Sequence, residues 1–322
     1  MSRLLRLLLG PLLALGLVAT AQAKGAVLVM NSGDATLSVI DMAQMREIGR
    51  IPMLREPHHW ALSPDGRSLM VGDTVGNVLF VLDPDTFAVR RRVPCADPYQ
   101  LGYSPDGKFL TVNGLARNQI DVYDAATLKL IKRFPIRSMP SHLVYAPDSS
   151  RVFVSLQGTG RLVAIDLRAM KVLWDARVGR VPAGVLWLDG HVLVALMGEN
   201  GFAVVDPRDG RVLRMVPTGK GAHQLYLSPD GRTLWVNNRV AGTTTAMDPK
   251  TLTVRRIYAI PGGPDDIAFA PDGKLWFTER FARRVAVLDP ATGALRTIDV
   301  GRSPHGIYLS PKADPSAQAM AQ

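Results

Sequence analysis

The chain has 322 residues, of which 47% are hydrophobic, a single cysteine and a formal net charge of +10 at pH 7. A lone thiol excludes an internal disulfide framework, and without a C-x-x-C-H motif the chain cannot attach a c-type haem covalently. The positive charge is distributed in pairs and triplets of arginine without interleaved aromatic residues, so nucleic acid is not an expected partner.

The first 23 residues have the features of a secretory signal peptide. Arg3 and Arg6 give a positively charged start, residues 7–18 form an apolar stretch, and Ala21-Gln22-Ala23 matches an A-x-A cleavage site. An uncleaved membrane anchor is the alternative, but the apolar stretch is short for the roughly 30 Å of a bilayer's hydrocarbon core. The sequence therefore predicts cleavage near Ala23 and a periplasmic or secreted mature chain without a transmembrane segment.

Two short motifs recur along the rest of the chain at intervals of 40 to 42 residues. The first is an apolar strand that ends in S/A-P-D-G or a remnant of it, and the second is an aspartate that ends another apolar run. The first motif is marked by Ser63, Ser104, Ala146, Leu188, Ser228, Ala270 and Ser310. The second is marked by Asp41, Asp83, Asp124, Asp166, Asp206, Asp248 and Asp289. Such a period with alternating apolar residues is typical of one four-stranded unit per repeat.

The unit at residues 99–137 shows the four predicted strands. LGYS runs into a P-D-G turn, KFLTVNG and QIDVYD follow, and KLIKRFPI comes after a D-x-x-T turn. No segment of the mature chain has a helical period, so helix content should be very low.

The two chain ends complement each other. The N-terminal segments AVLVMNSG, ATLSVID and MREIGRIPM match the second, third and fourth strands of a unit, whereas the C-terminal HGIYLSP matches a first strand. We therefore predict an all-β fold, a seven-bladed β-propeller over residues 24–312, with its seventh blade closed by one C-terminal strand plus three N-terminal strands. Residues 313–322 are predicted to be a disordered tail.

The segments TVNGLARNQIDVYDAATLKLIKRFPI and WVNNRVAGTTTAMDPKTLTVRRI resemble the YVTN-type β-propeller repeat, and the resemblance covers essentially the whole mature chain. The repeat is similar to propellers found beside quinoprotein alcohol oxidation systems and to the d1-haem domain of cytochrome nitrite reductases. The stretch GGPDDIAFAPDGKLWFTERFARRVAVLDPATG also resembles a repeat of streptogramin-type lyases. The resemblance implies the fold and a link to a periplasmic respiratory or quinoprotein pathway, although this scaffold is reused for many functions.

In a propeller the first strand of each blade lines the central channel, so its start and the end of the second strand open onto one mouth. Five of the six histidines fall at such positions, and only His191 lies elsewhere, at a hairpin turn. The predicted ligand-binding residues of this mouth are His58, His59, His142, His223, Asp265, His305, Asn237, Arg239 and Arg280. The sequence therefore predicts a polar, roomy opening that is rich in imidazole.

Three interpretations of these histidines remain open. They could ligate a divalent metal or a non-covalent haem iron, with His58, His223 and His305 as the metal ligands. They could instead bind a small anionic or polar ligand together with Arg239 and Arg280. Alternatively, each histidine bonds the backbone of the neighbouring blade and has no chemical role. The variation of this repeat position among His, Tyr, Ser, Ala and Asp argues against such a structural requirement.

Glu279 and His305 are the candidate catalytic residues, because a glutamate beside a histidine at a channel mouth can act as a general acid or base. An ion pair between blades is the competing interpretation for Glu279. No G-x-S-x-G, H-E-x-x-H, P-loop or dinucleotide-binding fingerprint is present. We expect a monomeric, non-enzymatic scaffold that binds a small ligand or an unidentified periplasmic protein. The alternative is a metal-dependent lyase or lactonase, or a haem-binding propeller.

The predicted signal peptide can be tested directly. When the full chain is expressed in a Gram-negative host, the periplasmic fraction should contain a product that begins at or near Lys24, as measured by intact mass and N-terminal sequencing. The variant Ala23→Arg, which places a bulky charge in the cleavage site, should block this processing. A product that retains Met1 and remains with the membrane would support the uncleaved anchor instead.

Overall fold

The computed structural model describes residues 25–314, so the predicted signal peptide and residues 315–322 of the predicted tail lie outside the described residues. Within this range the chain forms 28 β-strands and no α-helix, as the repeat pattern predicts. The strands form seven antiparallel four-stranded sheets, which are the blades of a propeller. Residues 25–314 contain no helix with the length and apolar character that a bilayer crossing requires.

The chain begins with three strands of the last blade, which we call blade 7: β1 (Ala26–Asn31), β2 (Thr36–Asp41) and β3 (Arg46–Pro52). Blade 1 contains β4 (Pro57–Leu62), β5 (Leu69–Asp73), β6 (Val78–Leu82) and β7 (Val89–Pro94). Blade 2 contains β8 (Gln100–Tyr103), β9 (Phe109–Gly114), β10 (Gln119–Asp124) and β11 (Leu130–Pro135). Blade 3 contains β12 (Pro140–Tyr145), β13 (Arg151–Leu156), β14 (Arg161–Asp166) and β15 (Lys171–Arg177).

The second half of the chain repeats this arrangement. Blade 4 contains β16 (Pro182–Leu188), β17 (His191–Leu196), β18 (Gly201–Val205) and β19 (Val212–Pro217). Blade 5 contains β20 (Ala222–Leu227), β21 (Leu234–Asn238), β22 (Thr243–Met247) and β23 (Val254–Ala259). Blade 6 contains β24 (Pro264–Phe269), β25 (Leu275–Glu279), β26 (Arg284–Leu288) and β27 (Leu295–Asp299). The final strand, β28 (Pro304–Ser310), returns to blade 7.

Blade 7 joins the two ends of the chain, as predicted. β28 is its innermost strand and pairs with β1 in antiparallel register, with Val29 opposite Ile307. The indole Nε1 of Trp60 in blade 1 donates a hydrogen bond to the Ile307 carbonyl at 2.9 Å. Each first strand contacts the first strand of the next blade around the whole circle, so the ring is closed. Ala313 is buried in the same packing, so ordered contacts extend past the predicted boundary at residue 312.

The hydrophobic core of the described residues consists of seven clusters, one at each junction between neighbouring blades. At the junction of blades 7 and 1, Leu28 packs in the same cluster as Phe80, and at the junction of blades 6 and 7, Val29 packs in the same cluster as Trp276. Burial of each large apolar side chain contributes about 1.5–3 kcal/mol. The outermost strands are exposed and carry arginines, as on β7.

The aspartate motif secures the turn between the third and fourth strands. Asp248 Oδ1 accepts the backbone amides of Lys250 and Thr251, each at 2.9 Å. Four residues after each of the seven aspartates the backbone has positive φ, including 57° at Leu252. Non-glycine residues rarely adopt this conformation, which costs on the order of 1 kcal/mol or more. The carboxylate bonds to the turn therefore stabilise a conformation that most of the residues at this position disfavour.

The ends of second strands hold the starts of the next blade's first strands. Three such bonds are Asn113 Nδ2 to the Ser141 carbonyl at 2.8 Å, Asn237 Nδ2 to the Asp265 carbonyl at 2.9 Å, and Thr278 Oγ1 to the His305 carbonyl at 2.6 Å. Because the donors and acceptors are buried, each bond that is lost leaves an unsatisfied carbonyl at the channel. These bonds fix the backbone from which the channel side chains project.

Because β28 closes the ring, substitution of an isoleucine on β28 should destabilise the fold more than substitution of an exposed isoleucine elsewhere. Ile307 on β28 is 1% exposed and packs between blades 6 and 7, whereas Ile257 on β23 is 54% exposed. Ile307→Ala should lower the free energy of unfolding by about 2–5 kcal/mol, because it leaves a cavity in the closing blade. Ile257→Ala should change it by less than about 0.5 kcal/mol. Urea denaturation of both variants measures the change in the free energy of unfolding. Equal losses of stability in the two variants would contradict a special contribution of β28.

Candidate functional site

The first strands begin at the channel with an irregular register. Pairing with the second strand shifts between residues 57 and 60, 140 and 143, 182 and 185, 222 and 224, and 264 and 267. Neighbouring side chains of a regular strand point to opposite faces, but a bulge re-aims one of them. As a result His58 and His59 are both buried, with ring centroids 4.7 Å apart and ring planes 15° apart.

Five histidines from four blades meet in this channel, and each is at most 4% exposed. The ring centroid of His58 lies 3.7 Å from that of His305, and the ring centroid of His59 lies 4.4 Å from that of His305. His59 and His142 approach to 3.4 Å between their Nε2 atoms, and His142 lies 5.4 Å from His223 between ring centroids. The structure therefore brings the five predicted histidines into one cluster. The rings pack closely against one another, with ring centroids 3.7 Å apart for His58 and His305 and 5.4 Å apart for His142 and His223.

A buried carboxylate, Asp265, lies among these rings. Its Oδ1 is 2.9 Å from His223 Nδ1 and is also contacted by Arg239, and its Oδ2 is 3.3 Å from His305 Nε2. Arg280 lies farther away, with its Nε 4.0 Å from Oδ2. Arg239 also lies against His223, with its Nη2 2.5 Å from His223 Nε2. Asp265 therefore connects residues of blades 5, 6 and 7 through one carboxyl group.

Burial keeps the histidines neutral. It lowers the pKa of His58, His142 and His305 well below the usual value and lowers the pKa of His59 to about 3. The pKa of His223 is lowered as well, by burial and then by the charge of a neighbouring arginine. At neutral pH each of these imidazoles therefore offers a nitrogen lone pair.

The two neighbouring aspartates have opposite pKa shifts. Burial alone would raise the pKa of Asp265, but the charge of Arg239 and the contact with His223 outweigh it and hold that pKa below its usual value. Burial and then the charge of Asp265 raise the pKa of Asp266 to about 7. Tyr226 donates a hydrogen bond to Asp266 Oδ1 at 2.7 Å. Asp265 thus carries a fixed negative charge, while Asp266 titrates near neutral pH.

Several polar atoms of this cluster have no hydrogen-bond partner among the described residues. They include the Nδ1 atoms of His58, His59 and His305, all of which are buried. A buried polar atom without a partner costs about 1–3 kcal/mol, so such atoms are rare in native proteins unless they serve a ligand or a water molecule. Three of them in one place make this cluster the candidate binding site.

Two overlapping groups have ligand atoms within 4.8 Å of one another, close enough to hold a metal ion. They are His58, His59 and His305, and His223, Asp265 and His305. The predicted metal set of His58, His223 and His305 is therefore divided between the two groups, with His305 in both. Three imidazoles, or two imidazoles and a carboxylate, are donor sets that suit Zn, Cu or Fe.

Two predicted site residues have structural partners. Asn237 bonds the Asp265 carbonyl through its Nδ2 and accepts a hydrogen bond from Thr244 at 2.9 Å, so both ends of its amide are engaged. Glu279 Oε2 lies 2.8 Å from Arg284 Nε, and its Oε1 accepts the Gly262 amide at 3.2 Å. Glu279 and Arg284 are register partners on β25 and β26, so the ion pair lies within one blade and not between blades.

Three further residues belong to the cluster although they were not among the predicted ligands. Tyr99 occupies the same repeat position as His58, five residues before the motif marker, and its ring centroid lies 4.2 Å from that of His58. Asp266 follows Asp265 as His59 follows His58, so the same repeat position could have identified it. Tyr226 lies farther along β20, and no sequence signal linked it to the channel.

A model of the YNCE-like β-propeller family matches residues 10–314. No curated protein sequence matches the chain significantly.

Among solved structures, the dihydro-haem d1 dehydrogenase NirN in complex with DHE aligns with a TM-score of 0.66 and 16% identity, over 90% of this chain and 76% of that chain. The periplasmic gluconolactonase PpgL of Pseudomonas aeruginosa aligns with a TM-score of 0.69 and 20% identity, over 88% and 98% of the two chains. A streptogramin B lyase aligns with a TM-score of 0.69 and 14% identity, over 89% and 92%. At these identities the likenesses show a shared fold alone.

The lowered histidine pKa values predict acid sensitivity of the metal-free protein. Below about pH 6.5 the unfolded chain binds protons that the folded histidines do not accept, so stability is complete above this pH and falls below it. The loss should be on the order of 1 kcal/mol per histidine for each pH unit. Asp266 acts in the opposite direction between about pH 7 and pH 4, because its raised pKa lets the folded state hold a proton. The effect of the five histidines is larger than that of Asp266, so the free energy of unfolding should fall from pH 7 to pH 5.

Urea denaturation of chelator-treated protein from pH 8 to pH 5 measures this dependence. His142→Gln should make it shallower by about one proton. The matched control is His191→Gln, because His191 lies outside the channel with its Nδ1 2.8 Å from the Asp189 carbonyl. Stability that stays level or rises toward pH 5 would show that the channel histidines are not held neutral.

Proposed function

The chain belongs to the YNCE-like β-propeller family, and we propose that this member is an exported, non-enzymatic scaffold that binds a divalent transition-metal ion in its channel. One observation carries the proposal. His58, His59 and His305 have buried, unpartnered Nδ1 atoms, and their ligand atoms lie within 4.8 Å of one another. Burial keeps all three imidazoles neutral, which is the form that binds Zn, Cu and Ni ions.

The contacts of His305 support the same assignment. Its Nε2 lies 3.3 Å from Asp265 Oδ2, but neither that oxygen nor His305 Nδ1 has a hydrogen-bond partner among the described residues. Histidines that bind metals commonly direct their second N–H to a carboxylate, which fixes the tautomer and makes the free nitrogen a better ligand. In this proposal Asp265 would orient His305 across the 3.3 Å separation, and the unpartnered Nδ1 of His305 would be a ligand of the ion.

The two competing interpretations of the histidines are less well supported. Arg239 and Arg280 both face Asp265, so their charges are directed at a carboxylate of the protein and not at a free anion. A histidine that only bonded the neighbouring backbone would have its ring nitrogens engaged there, but three Nδ1 atoms have no partner. A haem between the rings is disfavoured, because ring centroids 3.7–6.0 Å apart leave no slot for a macrocycle.

Export is supported by the charged start, apolar stretch and A-x-A site of residues 1–23. One protein of similar fold, the gluconolactonase PpgL, is periplasmic. An accessory place beside a periplasmic respiratory or quinoprotein pathway rests on the repeat resemblance. The small ligand in this proposal is the metal ion itself, and a protein partner would be the source or the recipient of the ion.

A metal-dependent lyase or lactonase is the second candidate function. A single observation favours it: Asp266 lies in the channel with a pKa raised to about 7, which suits a general acid or base. Two observations favour the scaffold. The carboxylate of Glu279 is occupied by Arg284 and the Gly262 amide, and the histidines are too deeply buried to meet a substrate.

Metal titration of the chelator-treated full chain tests the proposal. Calorimetry with Zn²⁺, Cu²⁺ and Ni²⁺ should detect one high-affinity ion per chain, and saturation should raise the thermal midpoint. His305→Gln keeps a polar side chain of similar size, yet should weaken binding by about a hundredfold or more, because it removes one of three ligands. Asp265→Asn should weaken binding by about 10–100-fold through the orientation of His305.

His191→Gln is the matched control, since it removes the one histidine outside the channel and should leave the affinity unchanged. Binding below one tenth of an ion per chain, or equal losses in the His191 and His305 variants, would overturn the proposal. Hydrolysis of gluconolactone by the metal-loaded protein that disappears in Asp266→Asn would assign the second candidate function instead.

A further inference from the structure

A cavity lies on the outer flank of the ring between blades 5 and 6, on the side of the P-D-G hairpins. It has a volume of about 650 Å³ and shares no residue with the channel cluster. A cavity of this size holds a small organic molecule, since ligand sites commonly measure about 300–1,000 Å³. The residues that carry its chemistry are Trp235, Tyr258, Phe269, Arg255, Arg256 and Lys274.

The hairpin that borders this cavity on blade 6 is shorter than the hairpins of blades 1, 2, 3 and 5. The amide of Ala270 bonds the Lys274 carbonyl, four residues on, whereas the corresponding Ser228 amide in blade 5 bonds the Thr233 carbonyl, five residues on. The turn between β24 and β25 is therefore one residue shorter than the turn between β20 and β21.

The wall of the cavity is aromatic and rigid. The ring centroids of Trp235 and Tyr258 lie 5.7 Å apart at 39°, and both residues are buried. The Tyr258 hydroxyl donates a hydrogen bond to the Pro290 carbonyl at 2.8 Å, which fixes the ring against blade 6. Aromatic rings held in this way provide a preorganised surface for another planar ring.

The rim of the cavity has an excess of positive charge. Arg255 forms an ion pair with Asp248, and Lys274 Nζ lies 2.5 Å from Asp272 Oδ2. Arg256 has no acidic partner among residues 25–314; its guanidinium instead lies 4.6 Å from the centroid of the Tyr258 ring. Asp230 is the one acidic residue of the lining, and it lies 3.8 Å from Arg232. An uncompensated guanidinium beside an aromatic wall is complementary to a carboxylate on a ring.

We propose that the cavity between blades 5 and 6 binds a planar aromatic carboxylate. The ring of the ligand packs against Trp235 and Tyr258, and its carboxylate bonds the Arg256 guanidinium. Arg256 is exposed at the rim, so the charged end of the ligand stays close to solvent while the ring is buried. This inference is independent of metal binding in the channel.

The neighbouring junction provides an internal control. The cavity between blades 4 and 5 measures about 260 Å³ and is lined by Arg214. Arg214 lies opposite Val204 in blade 4, as Arg256 lies opposite Ala246 in blade 5, so the two arginines occupy the same position of the repeat. Arg214 has the same charge and register, but its cavity is less than half as large and has no tryptophan or tyrosine in its lining.

Calorimetric titration of the full chain with 2-naphthoate tests this site. One molecule should bind per chain with a dissociation constant below about 1 mM. The uncharged 2-naphthalenemethanol and the non-planar cyclohexanecarboxylate should each bind at least about tenfold more weakly, because each lacks one of the two recognition elements. Arg256→Met should weaken 2-naphthoate binding by about tenfold or more, while Arg214→Met should leave it unchanged.

Three results would overturn the inference. The first is the absence of saturable binding up to several millimolar 2-naphthoate. The second is an equal loss in the Arg256 and Arg214 variants, which would indicate general attraction to a basic surface. The third is unchanged affinity in Arg256→Met, which would place the ligand elsewhere. Both arginines are exposed, so the substitutions should preserve the fold, and thermal midpoints of the variants verify this.

Discussion

The closed ring forces seven first strands to meet at one axis, and the side chains that they carry there must satisfy one another without bulk water. The carboxylate of Asp265 is the interaction on which this arrangement depends. It is fully buried and faces Arg239, Arg280, His223 and His305. A buried charge is tolerated only when it is paired, and removal of one partner typically costs 3–5 kcal/mol. The contacts of Asp265 therefore connect three blades and determine the charge of the channel.

The chemistry of the cluster follows from this charge balance. Two arginines already compensate Asp265, so a protonated imidazole would add an unpaired buried charge, and burial keeps all five histidines neutral. Neutral, unpartnered ring nitrogens are poor structural elements and good metal ligands. The same balance leaves Asp266, next to an ionised neighbour, with a pKa near neutrality. The proposed binding role of the channel thus rests on how the protein accommodates its buried charges.

Both proposed sites arise where the chain departs from its own repeat. At the channel, the repeat position five residues before the motif marker carries His, Tyr, Ser, Ala or Asp. At the outer flank, Trp235 and Tyr258 line the cavity between blades 5 and 6, whereas the cavity between blades 4 and 5 has no tryptophan or tyrosine in its lining. The shared fold with a haem dehydrogenase, a lactonase and a lyase describes the common scaffold, while the proposed functions rest on these local departures.

The sequence alone determined the number of blades, their strand order and the closure by β28, because hydrophobic alternation and turn residues are local signals that recur with a fixed period. It also placed His58, His223, Asp265 and His305 together, because equivalent positions of a closed repeat face the same axis. Only the tertiary structure decided how tightly they meet. His59 and His142 are 83 residues apart in the chain, and their 3.4 Å approach depends on bulges that turn consecutive side chains inward.

The orientation of individual side chains also could not be predicted from the sequence. The carboxylate of Glu279 turns to Arg284 within its blade, and the amide of Asn237 turns to a backbone carbonyl. Each orientation is set by partners from another strand, so no local pattern could reveal it. Sequence periodicity therefore specifies the ring and the positions that face its axis. Packing across the ring specifies which of those side chains are satisfied by the protein and which remain available to a ligand.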